Sequence, residues 1–122
     1  MLFNSVTGVM ERALDLNWIR QQLISNNIAN VDTPNYKRMD MDFRSSLLKA
    51  LSDQSASQSS TDGVKVEIVV SDDLAHSNDG NSVDIEKEMA GQAVNSLQYA
   101  LLTRLVSDQF GILRTAITEG RR

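Results

Sequence analysis

The chain of 122 residues has no cysteine, one proline and one histidine, and aromatic side chains make up only 5% of it. The absence of cysteine excludes disulfides and thiolate chemistry, and it leaves the redox compartment open. With so few rings, a core must rest on Leu, Val, Ile and Met, which suits packed helices better than a compact mixed fold.

Strong positive charge is also missing, since the formal net charge is −4 and most basic residues are scattered singly. This balance argues against nucleic-acid binding. Every apolar run is far shorter than the roughly 20 residues that span a bilayer, so we expect no direct membrane insertion. A basic leader before Leu2 is lacking, so no secretory signal is expected, and these rules alone predict a cytoplasmic protein.

The first thirty residues carry apolar side chains at helical spacing, which predicts an amphipathic helix from residue 2 to about residue 30. Trp18 and Ile19 lie beside the main stripe, so we expect this helix to have more than one contact surface. Asparagines are unusually dense at its end. An ordinary helix end with a proline turn accounts for Asn30 onwards, but not for the Asn26-Asn27 doublet, whose amides suit burial against backbone groups that need partners.

The centre of the chain, residues 31–82, is predicted to be extended and loop-rich. Residues 31–42 alternate like a half-buried strand, and a short helix with Leu47, Leu48 and Leu51 on one side follows. A Ser-rich segment, residues 52–63, is interpreted as a flexible loop. Residues 64–70 predict a short strand that needs a partner, either residues 36–43 or another subunit.

The last third of the chain predicts a second long helix, from Val83 to Glu119, with Asn81 or Ser82 as its N-cap and Asp84 in its first turn. Two apolar seams about 100° apart run along it. A helix with two seams needs contacts on two sides. Other subunits, favoured about two to one, or a folded-back central segment would cover the surplus. The predicted packing residues are Leu97, Tyr99, Leu101, Leu102, Leu105, Val106, Phe110, Leu113 and Ile117.

Two segments resemble one known family. The run SNNIANVDTPNYKR is similar to the signature that follows the first helix in bacterial flagellar axial proteins of the rod and hook class. The distal block from Gly80 resembles the C-terminal region of a proximal rod protein of that class, with its Gly-Asn-x-Val-Asp start and an Arg-x-x-Ile near its end at Arg114 and Ile117. The assembly-motif residues that this resemblance and the turn chemistry point to are Asn26, Asn27, Ile28, Ala29, Asn30, Thr33, Pro34 and Tyr36.

The resemblance implies a structural subunit of the rod that crosses the periplasm near the membrane-embedded base of the flagellum. It implies self-association, contact with other rod proteins and with the adaptor between rod and membrane ring, and delivery by the flagellar type III export apparatus without a cleaved leader. The alternatives are another proximal rod subunit of the same family and, in a different class, a cytoplasmic helical adaptor or export chaperone.

Apparent catalytic and metal sites have simpler explanations. His76 is the single histidine and is interpreted as a solvated loop residue. Asp79-Gly80 and Glu86 imitate the end of a calcium loop, but the first ligand position falls on Ala75, which has no side-chain oxygen. Asp40 and Asp42 lack a partner base. We therefore expect no enzyme activity, no cofactor and no metal.

The predicted fold is mainly α. Long N- and C-terminal helices form an antiparallel, coiled-coil-like pair, with a short extended or β segment and a flexible loop between them. The expected divisions are an N-terminal helix in residues 1–30, a central segment in residues 31–82 and a C-terminal helix in residues 83–122.

Overall fold

A computed structural model of the chain describes residues 2–53, 66–71 and 78–120. Within these ranges the elements follow in the order α1 (Leu2–Ala29), β1 (Met39–Met41), α2 (Phe43–Asp53), β2 (Ile68–Val70) and α3 (Ile85–Glu119). The predicted fold class is confirmed: two long terminal helices pack together, and a small two-stranded sheet lies between them in the chain. The Ser-rich loop at residues 54–63 and His76 lie outside the described residues.

The helices α1 and α3 run antiparallel. Asn27 of α1 contacts Glu88 of α3, and Asn17, ten residues earlier, contacts Asn95, seven residues later. Partly or fully buried positions on α3 recur in steps of three and four, as in a coiled-coil seam. The positions on this seam are Glu88, Gln92, Asn95, Leu102, Val106 and Gln109. None of the helices in the described part of the chain is long and apolar enough to cross a membrane.

The second contact surface of α1 holds the apolar core. Leu16 and Leu23 of α1 are buried with Met41 of β1, and Phe43 and Leu47 of α2 pack against them. Ile19, Met39 and Val66 complete this cluster. The central segment therefore folds back onto α1, and α1 has the more than one contact surface that its sequence predicts.

The sheet pairs β1 with β2 in antiparallel register, with Met39 opposite Val70 and Met41 opposite Ile68. The partner of the predicted strand is thus the segment 36–43 of the same chain. Residues 64–65 of that predicted strand lie outside the described ranges, and the strand itself covers only Ile68–Val70.

Two local predictions are wrong. The N-cap of α3 is Asp84, whose carboxylate accepts hydrogen bonds from the amides of Glu86 and Lys87, so the helix begins at Ile85 rather than Val83. The side chains of Asn81 and Ser82 bond elsewhere, as described below. In α2 the buried side follows Phe43, Ser46, Leu47 and Ala50, and Leu48 is exposed because it lies outside this spacing.

Candidate functional site

Asn27, from the middle of the assembly motif, fastens the end of α1 to β1. Its side chain is fully buried. The amide Nδ2 donates to the carbonyl oxygen of Met39 at 2.7 Å, and Oδ1 accepts from the Met39 amide at 3.0 Å. The side chain therefore bonds the backbone of Met39 as a neighbouring strand would, and it satisfies both polar groups of that peptide.

The same asparagine reaches α3. Its Nδ2 also donates to Oε2 of Glu88 at 3.2 Å, and Glu88 is only 1% exposed. The other oxygen, Oε1, accepts from Nε of Arg38, whose Nη2 bridges to Asp40 at 2.8 Å. A buried carboxylate is costly unless it is paired and hydrogen-bonded. Here the guanidinium and the amide fill both of its oxygens.

Protonation in this cluster is fixed by its surroundings. Burial opposes the charge of Arg38, but hydrogen bonds to Glu88 and then Asp40 outweigh it and leave the pKa of Arg38 raised. Burial, and then the negative charge of Glu88, raises the pKa of Tyr36. The Tyr36 hydroxyl therefore stays protonated at neutral pH, and it donates to Oδ1 of Asn27 at 3.3 Å.

Asn81 closes the C-terminal end of α1 from the other side. Its Nδ2 lies 2.8 to 2.9 Å from the carbonyl oxygens of Asn30, Val31 and Thr33. Its Oδ1 accepts from the amide of Val83 at 2.8 Å. These carbonyls belong to the turn that follows Ala29, so Asn81 stabilises the turn at the end of α1 rather than the start of α3.

The rest of the motif forms the turn itself. Thr33 Oγ1 donates to Oδ1 of Asn30 at 3.1 Å, and Nδ2 of Asn30 donates back to the carbonyl oxygen of Asn26. Asn26, Ala29, Thr33 and Pro34 are exposed, whereas Ile28, Asn30 and Tyr36 are partly buried. The motif thus combines inward-facing side chains that hydrogen-bond within the fold with exposed residues at the helix end and in the turn.

The turn is held against the start of the distal block. The amide of Asn35 donates to the carbonyl of Asp79 at 3.0 Å, and the amide of Ser82 donates to the carbonyl of Tyr36 at 3.1 Å. The Ser82 hydroxyl accepts from the amide of Arg38 at 2.9 Å. The two segments that resemble the flagellar family are therefore in contact with each other.

The predicted packing residues of α3 divide into two groups. Leu102 and Val106 are partly buried on the side that packs on α1. Seven others remain exposed, with exposed fractions from 37% for Leu113 to 72% for Leu97. The exposed members are Leu97, Tyr99, Leu101, Leu105, Phe110, Leu113 and Ile117. Leu97, Leu101 and Leu105, together with Ile112, which is 70% exposed, lie on one side of the helix, which we call the distal apolar face of α3. Tyr99, Phe110, Leu113 and Ile117 lie instead in line with Leu102 and Val106.

Halfway along the helix pair lies a polar layer. Asn95 is buried, and its Nδ2 donates to the carbonyl oxygen of Asn17 at 3.1 Å and to Oε1 of Gln21 at 2.9 Å. Asn17 is buried too, and its Nδ2 donates to the carbonyl of Ala13. The side-chain oxygens of both asparagines are buried without a hydrogen-bond partner.

Sequence reasoning missed Glu88, Arg38, Asn17 and Asn95 as members of these clusters, and it assigned Asn81 to the wrong helix. A usable signal was present. Glu88 and Asn95 are seven residues apart, so they occupy equivalent positions on one coiled-coil seam, where apolar residues are the rule. Polar residues at such positions indicate partners inside the fold.

The similarity to known proteins includes the residues described above. A family model described as "Flagella basal body rod protein" matches residues 9–37, which include α1 from its second turn onwards and the asparagine motif. The class defined by this motif on an antiparallel helix pair is therefore that of flagellar basal body rod proteins.

Relatives match over nearly the whole chain. The flagellar basal body rod protein FlgB of Bacillus subtilis is 37% identical over 98% of this chain and 98% of its own length. FlgB of Borrelia hermsii is 34% identical over 89% and 93%, and FlgB of Yersinia enterocolitica is 31% identical over 90% and 91%. The chain belongs to the FlgB family of flagellar basal body rod proteins.

Proposed function

We propose that this chain is a structural subunit of the proximal rod of a bacterial flagellar basal body. In this role it packs with copies of itself and with other rod proteins, and it transmits torque through helix contacts. The single observation that carries the proposal is the distal apolar face of α3, which the chain leaves open to solvent. Catalysis and cofactors have no part in this function.

Energetics favour coverage of that face by neighbours. Fully burying a Leu, Ile or Phe side chain stabilises an assembly by about 1.5 to 3 kcal/mol. The face carries Leu97, Leu101, Leu105 and Ile112 along about four helical turns. In the same chain, the central segment packs on α1 and covers the other side of that helix. None of the described residues covers the distal face, so in this proposal contacts with other subunits bury it.

The asparagine motif has a complementary role in this proposal. Asn27 and Tyr36 fix the angle between the end of α1 and the strand that follows it. This leaves Asn26, Ala29, Thr33 and Pro34 on a rigid, exposed turn that can contact a neighbouring subunit. A rigid turn binds with less loss of conformational entropy than a mobile one.

The finer location and partners belong to the same proposal. The subunit lies in the periplasmic part of the basal body and contacts the adaptor that joins the rod to the membrane ring. The flagellar type III export apparatus delivers it. In cells without a functional export apparatus, we expect a tagged form of the chain to remain in the cytoplasm, as cell fractionation would show.

Purified basal bodies provide the decisive test. A tagged chain is expressed in a flagellated bacterium whose own FlgB relative has been deleted, and the rods are isolated and probed for the tag. We expect the chain to co-purify with the rods and to restore swimming. The double substitution Leu97→Glu with Leu101→Glu places two charges on the distal apolar face, and it should reduce incorporation at least tenfold.

The control is Ser107→Glu, which adds a charge to an exposed residue of the same helix that lies outside the face. This variant should assemble as the unchanged chain does. Circular dichroism of the purified variants checks that all of them are equally helical. A chain that stays in the cytoplasm as a dimer of fixed stoichiometry would contradict the proposal and favour the chaperone alternative.

A further inference from the structure

The polar layer between α1 and α3 contains hydrogen-bonding capacity that the described residues of the chain do not use. The oxygens Oδ1 of Asn17 and of Asn95 are buried acceptors without a donor, and Nε of Arg20 is a buried donor without an acceptor. Buried polar atoms are almost always satisfied in native proteins, and each orphan weakens the fold. Two of them, on Asn17 and on Asn95, which faces it from α3, call for a ligand.

A cleft lies beside this layer. Its volume is about 270 Å³, and it is lined by Asn17, Trp18, Gln21, Asn95, Ser96 and Tyr99. Trp18 and Tyr99 supply aromatic walls, and they are 61% and 47% exposed. Such a space is much larger than a single water molecule needs. It has room for a side chain that enters from outside between two rings.

We propose that this cleft is a socket for the carboxamide of an Asn or Gln side chain carried by a neighbouring subunit. The proposal rests on the rod function stated above and names the chemistry of one contact within it. A carboxamide offers two N–H donors and one carbonyl acceptor. Its two donors match the two orphaned oxygens, on Asn17 and Asn95. Its flat, neutral group also fits between aromatic rings.

The charge of the layer selects against other donors. All six residues that line the cleft are neutral. A cation from Lys or Arg would therefore enter a partly desolvated site without a carboxylate to pair with. The orphaned atoms are closed to solvent in the free chain, so the incoming group reaches them as the exposed Trp18 ring or the Gln21 amide turns aside.

A single engineered thiol tests the socket, because the chain has no cysteine of its own. Ser96→Cys places the thiol on the wall of the cleft, and its rate of maleimide labelling is measured on the free chain and on isolated basal bodies. Labelling should be at least tenfold slower in basal bodies. A benzophenone attached at the same thiol should cross-link to a different subunit, next to an Asn or Gln side chain that mass spectrometry identifies.

A second variant keeps the test independent of the label. Asn95→Leu removes one orphaned acceptor together with the donor to the Asn17 carbonyl and to Gln21. Its incorporation into basal bodies should fall at least fivefold, while circular dichroism shows that the monomer remains as helical as the unchanged chain. The control Gln22→Leu changes an exposed residue of α1 outside the cleft and should incorporate normally.

The outcomes separate this inference from the rod function. Basal bodies that contain the chain but label Ser96→Cys at the free rate, or that accept Asn95→Leu normally, overturn the socket alone. A cross-link to Lys, Arg or Glu at the contact also overturns it. A chain that is absent from basal bodies overturns both proposals.

Discussion

The neighbouring residues Asn26 and Asn27 differ sharply in burial and in hydrogen bonding. Asn26 is exposed, and Asn27 is fully buried with four hydrogen-bonded contacts to Tyr36, Met39 and Glu88. Replacing Asn27 by Leu keeps the side-chain volume but leaves the backbone groups of Met39 and one carboxylate oxygen of Glu88 without their hydrogen-bond partner.

We expect Asn27→Leu to lower the free energy of unfolding by about 2 to 4 kcal/mol, because each buried polar group without a hydrogen-bond partner costs about 1 to 3 kcal/mol. The adjacent control, Asn26→Leu, should change it by no more than about 0.5 kcal/mol, as most surface substitutions do. Urea unfolding of the two purified variants measures both values. Equal losses in the two variants would show that Asn27 is not the fastener described above.

Sequence reasoning singled out this doublet but could not say which member faces inward. The apolar positions include both Leu23 and Ile24, which are adjacent, so the phase at the helix end is ambiguous by one residue. The partners of Asn27 lie 12 and 61 positions away, at Met39 and Glu88. Local sequence patterns do not predict which distant carboxylate or carbonyl group forms a hydrogen bond with a given side-chain amide.

At the scale of elements, the turn between the two family-like segments depends on one glycine. Gly80 has a φ of +83°, in the region that L side chains rarely adopt, and an added Cβ would lie 2.5 Å from Oδ1 of Asn35. Gly111, in contrast, lies within α3 with open space around its Cα. The two positions make a matched pair.

We expect Gly80→Ala to lower the free energy of unfolding by about 1 to 3 kcal/mol through backbone strain and the displaced Asn35 side chain. Gly111→Ala should raise it by about 0.5 to 1 kcal/mol, since glycine in a helix interior is less favourable than alanine. Thermal unfolding followed by circular dichroism compares them. A stabilised Gly80→Ala variant would show that this turn has another conformation in solution.

The helices themselves were predictable nearly to the residue, because periodicity of apolar side chains extends over many turns of α1 and α3. The N-cap of α3 was not. Capping rules rank Asn, Ser and Asp similarly, and the choice of Asp84 follows from tertiary bonds that occupy Asn81 and Ser82. The side of α2 was misjudged for a related reason, since three leucines in five positions fit more than one stripe.

At the scale of the whole molecule, the helix pair changes character along its length. Near the end of α1 it is held by the polar contacts of Asn27, Glu88 and Arg38. Beyond Asn95 the contact between the helices is apolar, and most of α3 is exposed. The sequence predicted an excess of apolar surface from the two seams of α3, but it did not reveal that the polar half comes first.

Amide hydrogen exchange on the dilute monomer should follow this gradient. We expect strong protection in residues 13–27 of α1 and 88–95 of α3, and protection at least a hundredfold weaker in residues 110–119, where few buried contacts oppose local opening. In isolated basal bodies the weak region should become protected. Uniformly strong protection of both terminal helices in the monomer would contradict this expectation.

The unequal length of the two long helices has a mechanical consequence. The start of α3 lies beside the end of α1, since Glu88 in the first turn of α3 contacts Asn27 in the last turn of α1. However, α3 has 35 residues and α1 has 28. The difference amounts to about 10 Å of helix. The C-terminal end of α3 therefore extends beyond α1, and another molecule can contact it without separating the two helices.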